Sequence, residues 1–179
     1  IGFMYQNGEG VQKDFNQAVK WFEKAADQGD VQAQYSLGMM YLNEKDYKRA
    51  AYWFEKAADQ GDEKAQFNLG IMYENGYGVK KDYKHAAYLY EKAANKGIVE
   101  AQFNLGFMYY LGKGVQKDYE NAAYWFKQAS NQGNAQAQYN LGRICFNGEG
   151  VKKDYKRAAE WFSLSCNGGF KEACLMLKN

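Results

Sequence analysis

Four short glycine-containing segments have residue types that could cradle a phosphate group. Each reads Gly-x-Gly, the start of the dinucleotide-binding fingerprint, in which backbone N–H groups at a strand–helix turn hold a pyrophosphate. That chemistry needs a strand before the glycines and a third glycine that opens the next helix. The sequence has neither, so we interpret the segments as turns that end helices. The pairs are Gly8 and Gly10, Gly76 and Gly78, Gly112 and Gly114, and Gly148 and Gly150.

Histidine and cysteine are the other candidates for chemistry. His85 is the only histidine, it lies near the start of a predicted helix at a position expected to face solvent, and the sequence offers no nucleophile that it would activate. Three cysteines could ligate a metal, but a zinc site needs a fourth ligand and none is evident. We therefore expect no catalytic residue, no metal, no cofactor and no enzymatic activity.

An internal repeat positions all of these residues. The motif Ala-Gln-aromatic-Ser/Asn-Leu-Gly occurs at 33–38, 65–70, 101–106 and 137–142. Its glycines are 36 residues apart, except that Gly70 follows Gly38 by only 32. The four missing residues lie in the loop at 43–46, because loops tolerate changes of length. A period of this size predicts a stack of identical supersecondary units.

The first half of the third unit predicts a helix, named helix A, over 101–110. Ala101, Leu105 and Met108 share one face of this helix, which is its core face. Gly106 lies inside it, although a helical glycine costs about 1 kcal/mol relative to alanine. We therefore expect a neighbouring helix to approach Gly106 too closely for a side chain.

The second half of the same unit predicts an antiparallel partner, helix B. Asp118 is expected to cap its N-terminus, and Gly133 to follow its end in a left-handed conformation. Short connections make consecutive helices antiparallel neighbours. We expect Tyr124, Trp125 and Phe126 of helix B to fill the gaps between units.

Bulk composition excludes several classes of protein. Of the 179 residues, 46% are hydrophobic and 17% aromatic, which is ample for a core and excludes intrinsic disorder. The net charge of +2 gives no strong attraction to nucleic acid or to an anionic membrane, and no apolar run is long enough to span a bilayer. The basic runs at 80–84 and 152–157 are interpreted as a solvated face. Ile1 stands in the middle of a repeat, so we expect the chain to be a fragment of a longer protein.

The third unit resembles the Sel1-like repeat, a relative of the tetratricopeptide repeat, and the resemblance covers essentially the whole chain. The matching residues are Ala101, Leu105, Gly106, Tyr109, Gly112, Gly114, Val115, Asp118, Ala122, Trp125, Phe126, Ala129 and Gly133. The resemblance implies an all-α, right-handed solenoid of antiparallel helix pairs, and an adaptor role that is often found in bacteria. Five Leu/Ile-Gly sites place the units at 1–33, 34–65, 66–101, 102–137 and 138–179.

Cys166 and Cys174 are eight positions apart, at the end of a B helix and the start of the next A helix. Their spacing resembles that of cysteine-rich secreted members of the Sel1-like group, where such a pair is bridged. Two reduced thiols in a cytosolic protein are the alternative. A bridge would indicate a periplasmic or secreted protein, and free thiols a cytoplasmic one. Cys145 replaces a core tyrosine and is expected to be a buried thiol.

A second stripe on helix A is the strongest functional signal. Phe103, Phe107 and Tyr110 repeat at i, i+4 and i+7, rotated away from the core face. In tetratricopeptide-like arrays this face lines the concave groove, so the resemblance implies that it binds a partner. The alternative is that the aromatic residues pack between adjacent A helices and the asparagines tie helices together. The predicted partner-binding residues are Tyr35, Met39, Phe67, Asn68, Ile71, Phe103, Asn104, Phe107, Tyr110, Tyr139, Asn140 and Arg143.

The predicted function is a non-catalytic scaffold that holds a protein or peptide in its concave groove. A constant framework with a variable inner face suits peptide recognition. A module that binds small ligands or cell-wall fragments, or a regulatory module of a larger enzyme, is the alternative. Nothing in the sequence resembles a nucleic-acid-binding motif.

Overall fold

The structure is a computed structural model that describes residues 1–177, and over this range it is all-helical. The chain divides into two compact units, 1–82 and 83–179. In the first unit, consecutive helices pack against each other through short connections. Its helices are α1 Gly2–Asn7, α2 Phe15–Ala26, α3 Val31–Asn43, α4 Tyr47–Asp59 and α5 Glu63–Asn75.

The second unit has the same plan. Each helix packs on its neighbours in the chain, so that A and B helices alternate. Its helices are α6 Tyr83–Asn95, α7 Val99–Leu111, α8 Tyr119–Asn131, α9 Ala135–Asn147, α10 Tyr155–Asn167 and α11 Lys171–Met176. Helices α7, α9 and α11 are A helices, and α6, α8 and α10 are B helices. The helix predicted over 101–110 is thus two residues longer at its start and one residue longer at its end.

Aspartates fix where the B helices begin, as predicted for Asp118. Its carboxylate accepts hydrogen bonds from the backbone N–H groups of Glu120 and Asn121, both at 2.9 Å. This satisfies two of the orphan donors of the first turn. Gly133, just beyond the end of α8, has φ of +87°, which confirms the predicted left-handed conformation.

The internal glycines of the A helices are sites of close approach, as expected. A Cβ atom added to Gly106 would lie 2.9 Å from the Phe126 ring and 3.2 Å from the Ala122 carbonyl oxygen. On Gly142 it would lie 2.5 Å from the Phe162 ring. Helices A and B therefore pack with a B-helix phenylalanine directly over the missing side chain.

The core of the second unit lies between these helices. Small alanines from α8 and α9 surround Phe126, whose side chain is fully buried. Trp125 is also buried, in line with the expectation that it fills space inside the array. The same prediction was wrong for Tyr124, whose side chain is 53% exposed because its position on α8 faces outward.

The glutamine of the repeated Ala-Gln motif is a buried polar tie between helices. The side-chain amide of Gln34 donates to the carbonyl of Ala26 at 3.0 Å, and that of Gln102 donates to Ala94 at 3.2 Å. Each carbonyl lies at the end of the preceding B helix and also accepts the backbone N–H of the glycine three residues further on, so the glutamine adds a second hydrogen bond there. The regular recurrence of glutamine in the sequence is the signal that reveals this role.

Candidate functional site

The aromatic stripe of α7 forms a ladder of rings. The centroids of Phe103 and Phe107 are 6.2 Å apart with the planes 19° from parallel, and those of Phe107 and Tyr110 are 6.4 Å apart and 12° from parallel. The helical spacing of i, i+4 and i+7 places these three rings on one side of α7. Phe107, in the middle, is 38% exposed and is therefore available to a partner.

The first aromatic position of each A helix is shared between the surface and the core. Phe103 packs on the buried Phe126 with centroids 5.8 Å apart, and Tyr139 packs on Phe162 at 5.6 Å. In the first unit, Tyr35 packs on Phe54 at 5.9 Å in the same way. All three first-position rings remain half-buried, so part of each ring is occupied by packing.

Tyr110 differs from the exposed groove residue that the stripe predicts, because it is only 9% exposed and belongs to the core. Its hydroxyl donates to Glu149 Oε2 at 2.9 Å and accepts a hydrogen bond from the Arg143 guanidinium at 3.2 Å. Burial raises the pKa of Tyr110, the bond to Glu149 raises it further, and the positive charge of Arg143 opposes both. Tyr110 thus anchors Arg143 and the loop that carries Glu149 instead of presenting an apolar surface.

Two of the three asparagines of the predicted surface bond within their own helices. The side-chain amide of Asn68 donates to the Lys64 carbonyl, and that of Asn140 to the Gln136 carbonyl, each at 2.9 Å. Asn140 is also buried, unlike the expected groove position, and Asn68 and Asn104 are half-buried. These i−4 bonds lie within single helices, whereas the Asn68 side chain of α5 also interacts with Tyr35 of α3, in line with the alternative that the asparagines tie helices together.

The first unit presents the corresponding positions on α3 and α5. The side chains are all half-buried, as Arg143 is in the second unit. Burial is the largest cause of a raised pKa at Tyr35; the negative charge of Asp62 raises the pKa further, and the Asn68 side chain lowers it. The residues are Tyr35, Met39, Phe67, Asn68 and Ile71.

The structure decides the question left open about the cysteines. Cys166, near the end of α10, and Cys174, in α11, form a disulfide with their Cα atoms 4.9 Å apart. A structural disulfide indicates an oxidising compartment. Cys145 is a free, buried thiol as predicted, and burial raises its pKa.

The remaining chemical candidates do not converge on a site. His85 is half-buried, and its ring centroid is 6.0 Å from that of Tyr88. Within residues 1–177 no group of three or more His, Cys, Asp or Glu side chains is placed to hold a metal ion. In the same range, no helix combines the length and the hydropathy required to cross a bilayer.

Solved structures similar to this chain share the arrangement of helices. One is c5321, a protective antigen of uropathogenic Escherichia coli with an SLR fold, at 38% identity and a TM-score of 0.94 over 98% of this chain. A Sel1 repeat protein from Oxalobacter formigenes is also 38% identical, with a TM-score of 0.79 over 96% of this chain and 72% of its own. This chain spans only 38% of the length of c5321. The expected all-α solenoid fold class is confirmed.

A third similar structure is the cysteine rich protein B of Helicobacter pylori. It is 28% identical to this chain, with a TM-score of 0.56 over 73% of this chain and 97% of its own. Proteins built from Sel1 repeats generally serve as protein-interaction scaffolds and are typically non-catalytic.

The sequence itself matches the model of the Sel1 repeat five times. The matched segments are residues 1–30, 31–62, 63–98, 99–134 and 135–170. Each segment begins close to the start of an A helix and ends just before the next one. The chain therefore belongs to the Sel1 repeat family.

Proposed function

We propose that the protein is a non-catalytic scaffold that binds a protein or peptide partner on its A helices. The observation that carries this proposal is the stacked pair Phe103–Phe107, because the Phe107 side chain is 38% exposed. Aromatic rings held rigid by neighbours make good anchors, because little conformational entropy is lost when a partner covers them. Truncation of such an anchor typically costs about 2 kcal/mol or more of binding free energy.

Arg143 supplies the polar part of the same surface. Its guanidinium lies 5.5 Å from the centroid of the Tyr110 ring and bonds the hydroxyl of that residue, so it is held in place beside the ladder. Arginine is enriched at binding hot spots because its planar fork pairs with carboxylates or carbonyls of a partner. The corresponding positions of the first unit, Met39 and Ile71, are apolar, which makes the two faces differ in the partner segments they favour.

The test is affinity capture with the full-length protein as bait, quantified by mass spectrometry. Phe107→Ala and Arg143→Ala should each weaken partner recovery about tenfold or more, while helicity and melting stay near those of the wild type. Lys80→Ala, on the loop side, is the matched control and should recover partners normally. If the control loses partners and the other two variants keep them, the loop side is the binding surface and this proposal is wrong.

We propose that the protein acts in the periplasm or outside the cell, and the disulfide supports this location. Thiols of cytosolic proteins are generally kept reduced, so a structural bridge between Cys166 and Cys174 is typical of an exported protein. Intact-mass analysis after alkylation of denatured, unreduced protein tests the location. Natively exported material should show one labelled thiol, Cys145, and three labelled thiols would favour the cytoplasm.

A further inference from the structure

We infer that a cleft between α8 and α10 is a second binding site, one that takes an extended acidic peptide. The cleft has a volume of about 790 Å³, within the range of known ligand pockets. Tyr124 and Lys127 of α8 form one wall, and Tyr155, Lys156 and Trp161 of α10 form the other. None of these residues belongs to the A-helix surface, so the inference is independent of the proposed function.

The cleft is rich in positive charge. The cleft is lined by five cations, and within residues 1–177 none of them forms a salt bridge. It contains only two carboxylates, and one of them, Asp154, already accepts a hydrogen bond from the backbone of Arg157. The cations are Lys127, Lys152, Lys153, Lys156 and Arg157. Unpaired like charges gathered in one cleft raise the local concentration of anions.

The repeat itself shows that this charge is particular to the α8–α10 cleft. At the position of Lys127 the earlier B helices have Glu23, Glu55 and Glu91, so the charge is reversed here alone among these four. The reversal belongs to a wider asymmetry. The first unit has 10 Lys and Arg against 13 Asp and Glu, whereas the second has 13 against 8.

The walls of the cleft also carry exposed aromatic rings. Tyr124 is 53% exposed and Tyr155 is 60% exposed, so most of each ring is free of core packing. Tyrosine is among the residues most enriched at binding hot spots, since it combines a large apolar ring with a hydroxyl. The half-buried Trp161 adds apolar surface deeper in the cleft. An anion without apolar groups would leave these rings uncovered.

The distribution of charge favours a peptide over a uniform polyanion. Cations on α8, on the loop before α10 and on α10 itself surround the cleft, so a single small anion contacts only some of them. An extended peptide advances about 3.3 Å per residue and can present several carboxylates in sequence. Glu120, in the wall, can accept a peptide backbone N–H, whereas it repels a phosphodiester chain.

The test measures fluorescence anisotropy of a labelled peptide, Glu-Glu-Leu-Glu-Tyr-Glu, at low ionic strength with the full chain. Lys127→Glu, which restores the residue type of the earlier repeats, should raise the Kd about fivefold or more, and Lys127→Glu with Lys156→Glu should abolish binding. Lys171→Glu, on α11 outside the cleft, makes the same change of net charge and should alter the Kd less than about twofold. Circular dichroism and melting should show that all variants fold.

Four outcomes would overturn the inference. One is that the wild type does not bind the acidic peptide, and another is that Lys127→Glu binds it as the wild type does. A third is equal binding of Gln-Gln-Leu-Gln-Tyr-Gln, which would show that the charge of the peptide plays no role. The fourth is tighter binding of a single-stranded oligothymidylate, which would show that the site takes a phosphodiester chain and not a peptide. Loss of binding that is confined to the cleft variants and to the acidic peptide would support it.

Discussion

Two equivalent joints in the second unit, one at the pair α7 and α8 and one at the pair α9 and α10, are held by different bonds. At the first joint the Gln132 side-chain amide donates to the Gly97 carbonyl at 3.1 Å and to Gln102 Oε1 at 3.0 Å. At the second joint, Gly168 occupies the position that corresponds to Gln132, 36 residues further along the chain. Within the described residues, Oε1 of Gln138 is then buried without a hydrogen-bond partner.

The second joint is held by a different hydrogen bond and by a disulfide. The hydroxyl of Ser165, fully buried at a position where α8 has Ala129, donates to the Ala135 carbonyl at 2.6 Å. The Cys166–Cys174 disulfide ties α10 to α11. In both joints a B-helix phenylalanine nevertheless packs over the internal glycine of the A helix. This common contact indicates that packing defines the repeat, whereas the polar or covalent bonds can be exchanged.

The largest expected effect is a loss of stability when the glycine–phenylalanine contact common to the two joints is disturbed. Gly106→Leu and Gly142→Leu should each lower the free energy of unfolding by more than the usual overpacking cost of about 1–3 kcal/mol, because each new side chain would meet a buried phenylalanine ring. Urea denaturation measures the loss. Gln136→Leu, at an exposed position of α9, is the control. Unchanged stability of the glycine variants would show that packing is not the common feature.

Removal of the disulfide should affect the second joint alone. Replacing Cys166 and Cys174 by serine should cost about 2–3 kcal/mol, since the bridge closes a short loop and restricts the unfolded chain. Hydrogen exchange should show the loss of protection concentrated in α10 and α11, with α7 and α8 unaffected. A uniform loss over the second unit would mean that the joints are not independent.

Substitutions at Gln132 and at its equivalent Gly168 test whether the side-chain hydrogen bonds of the two joints are interchangeable. Gln132→Ala should cost about 1–2 kcal/mol, because the buried Oε1 of Gln102 loses its donor. Gly168→Gln should be more stable than Gly168→Ala by about 0.5–1 kcal/mol, since both add a Cβ near Ala135 but only glutamine brings a donor for Gln138. Equal melting of the two Gly168 variants would contradict this.

The smallest expected effect concerns Tyr110, whose position is taken by Phe146 one repeat later. Tyr110→Phe should cost about 1 kcal/mol at neutral pH through loss of the bond to Glu149. The pKa of Tyr110 is raised in the folded state, so its contribution is complete below the unfolded pKa of about 10 and is lost as pH rises through the folded value. Denaturation at pH 7 and above pH 10 should therefore show the gap between wild type and variant closing, and a constant gap would refute this assignment.

Much of the candidate site could be predicted from the sequence, because helical spacing decides which residues share a face. The spacing of Phe103, Phe107 and Tyr110 predicted that the three rings share one side of α7, and the structure adds that they stack. It did not predict the burial of Tyr110, because Glu149 lies 39 residues further along the chain and in a loop. It also missed the cleft, since the basic run at 152–157 reads as a solvated face until Lys127 is placed opposite it.

By itself, then, the sequence determined the repeat period, the caps, the close approach at Gly106 and the face of each A helix. These depend on interactions within a few residues or on the type of residue at one position, and both are visible in a linear chain. Only the tertiary structure decided which distant side chains meet, such as Gln132 with Gln102 across 30 residues or Cys166 with Cys174 across a turn. The physical reason is that contacts between repeats depend on how whole helices are offset and rotated, and helical periodicity leaves that offset undetermined.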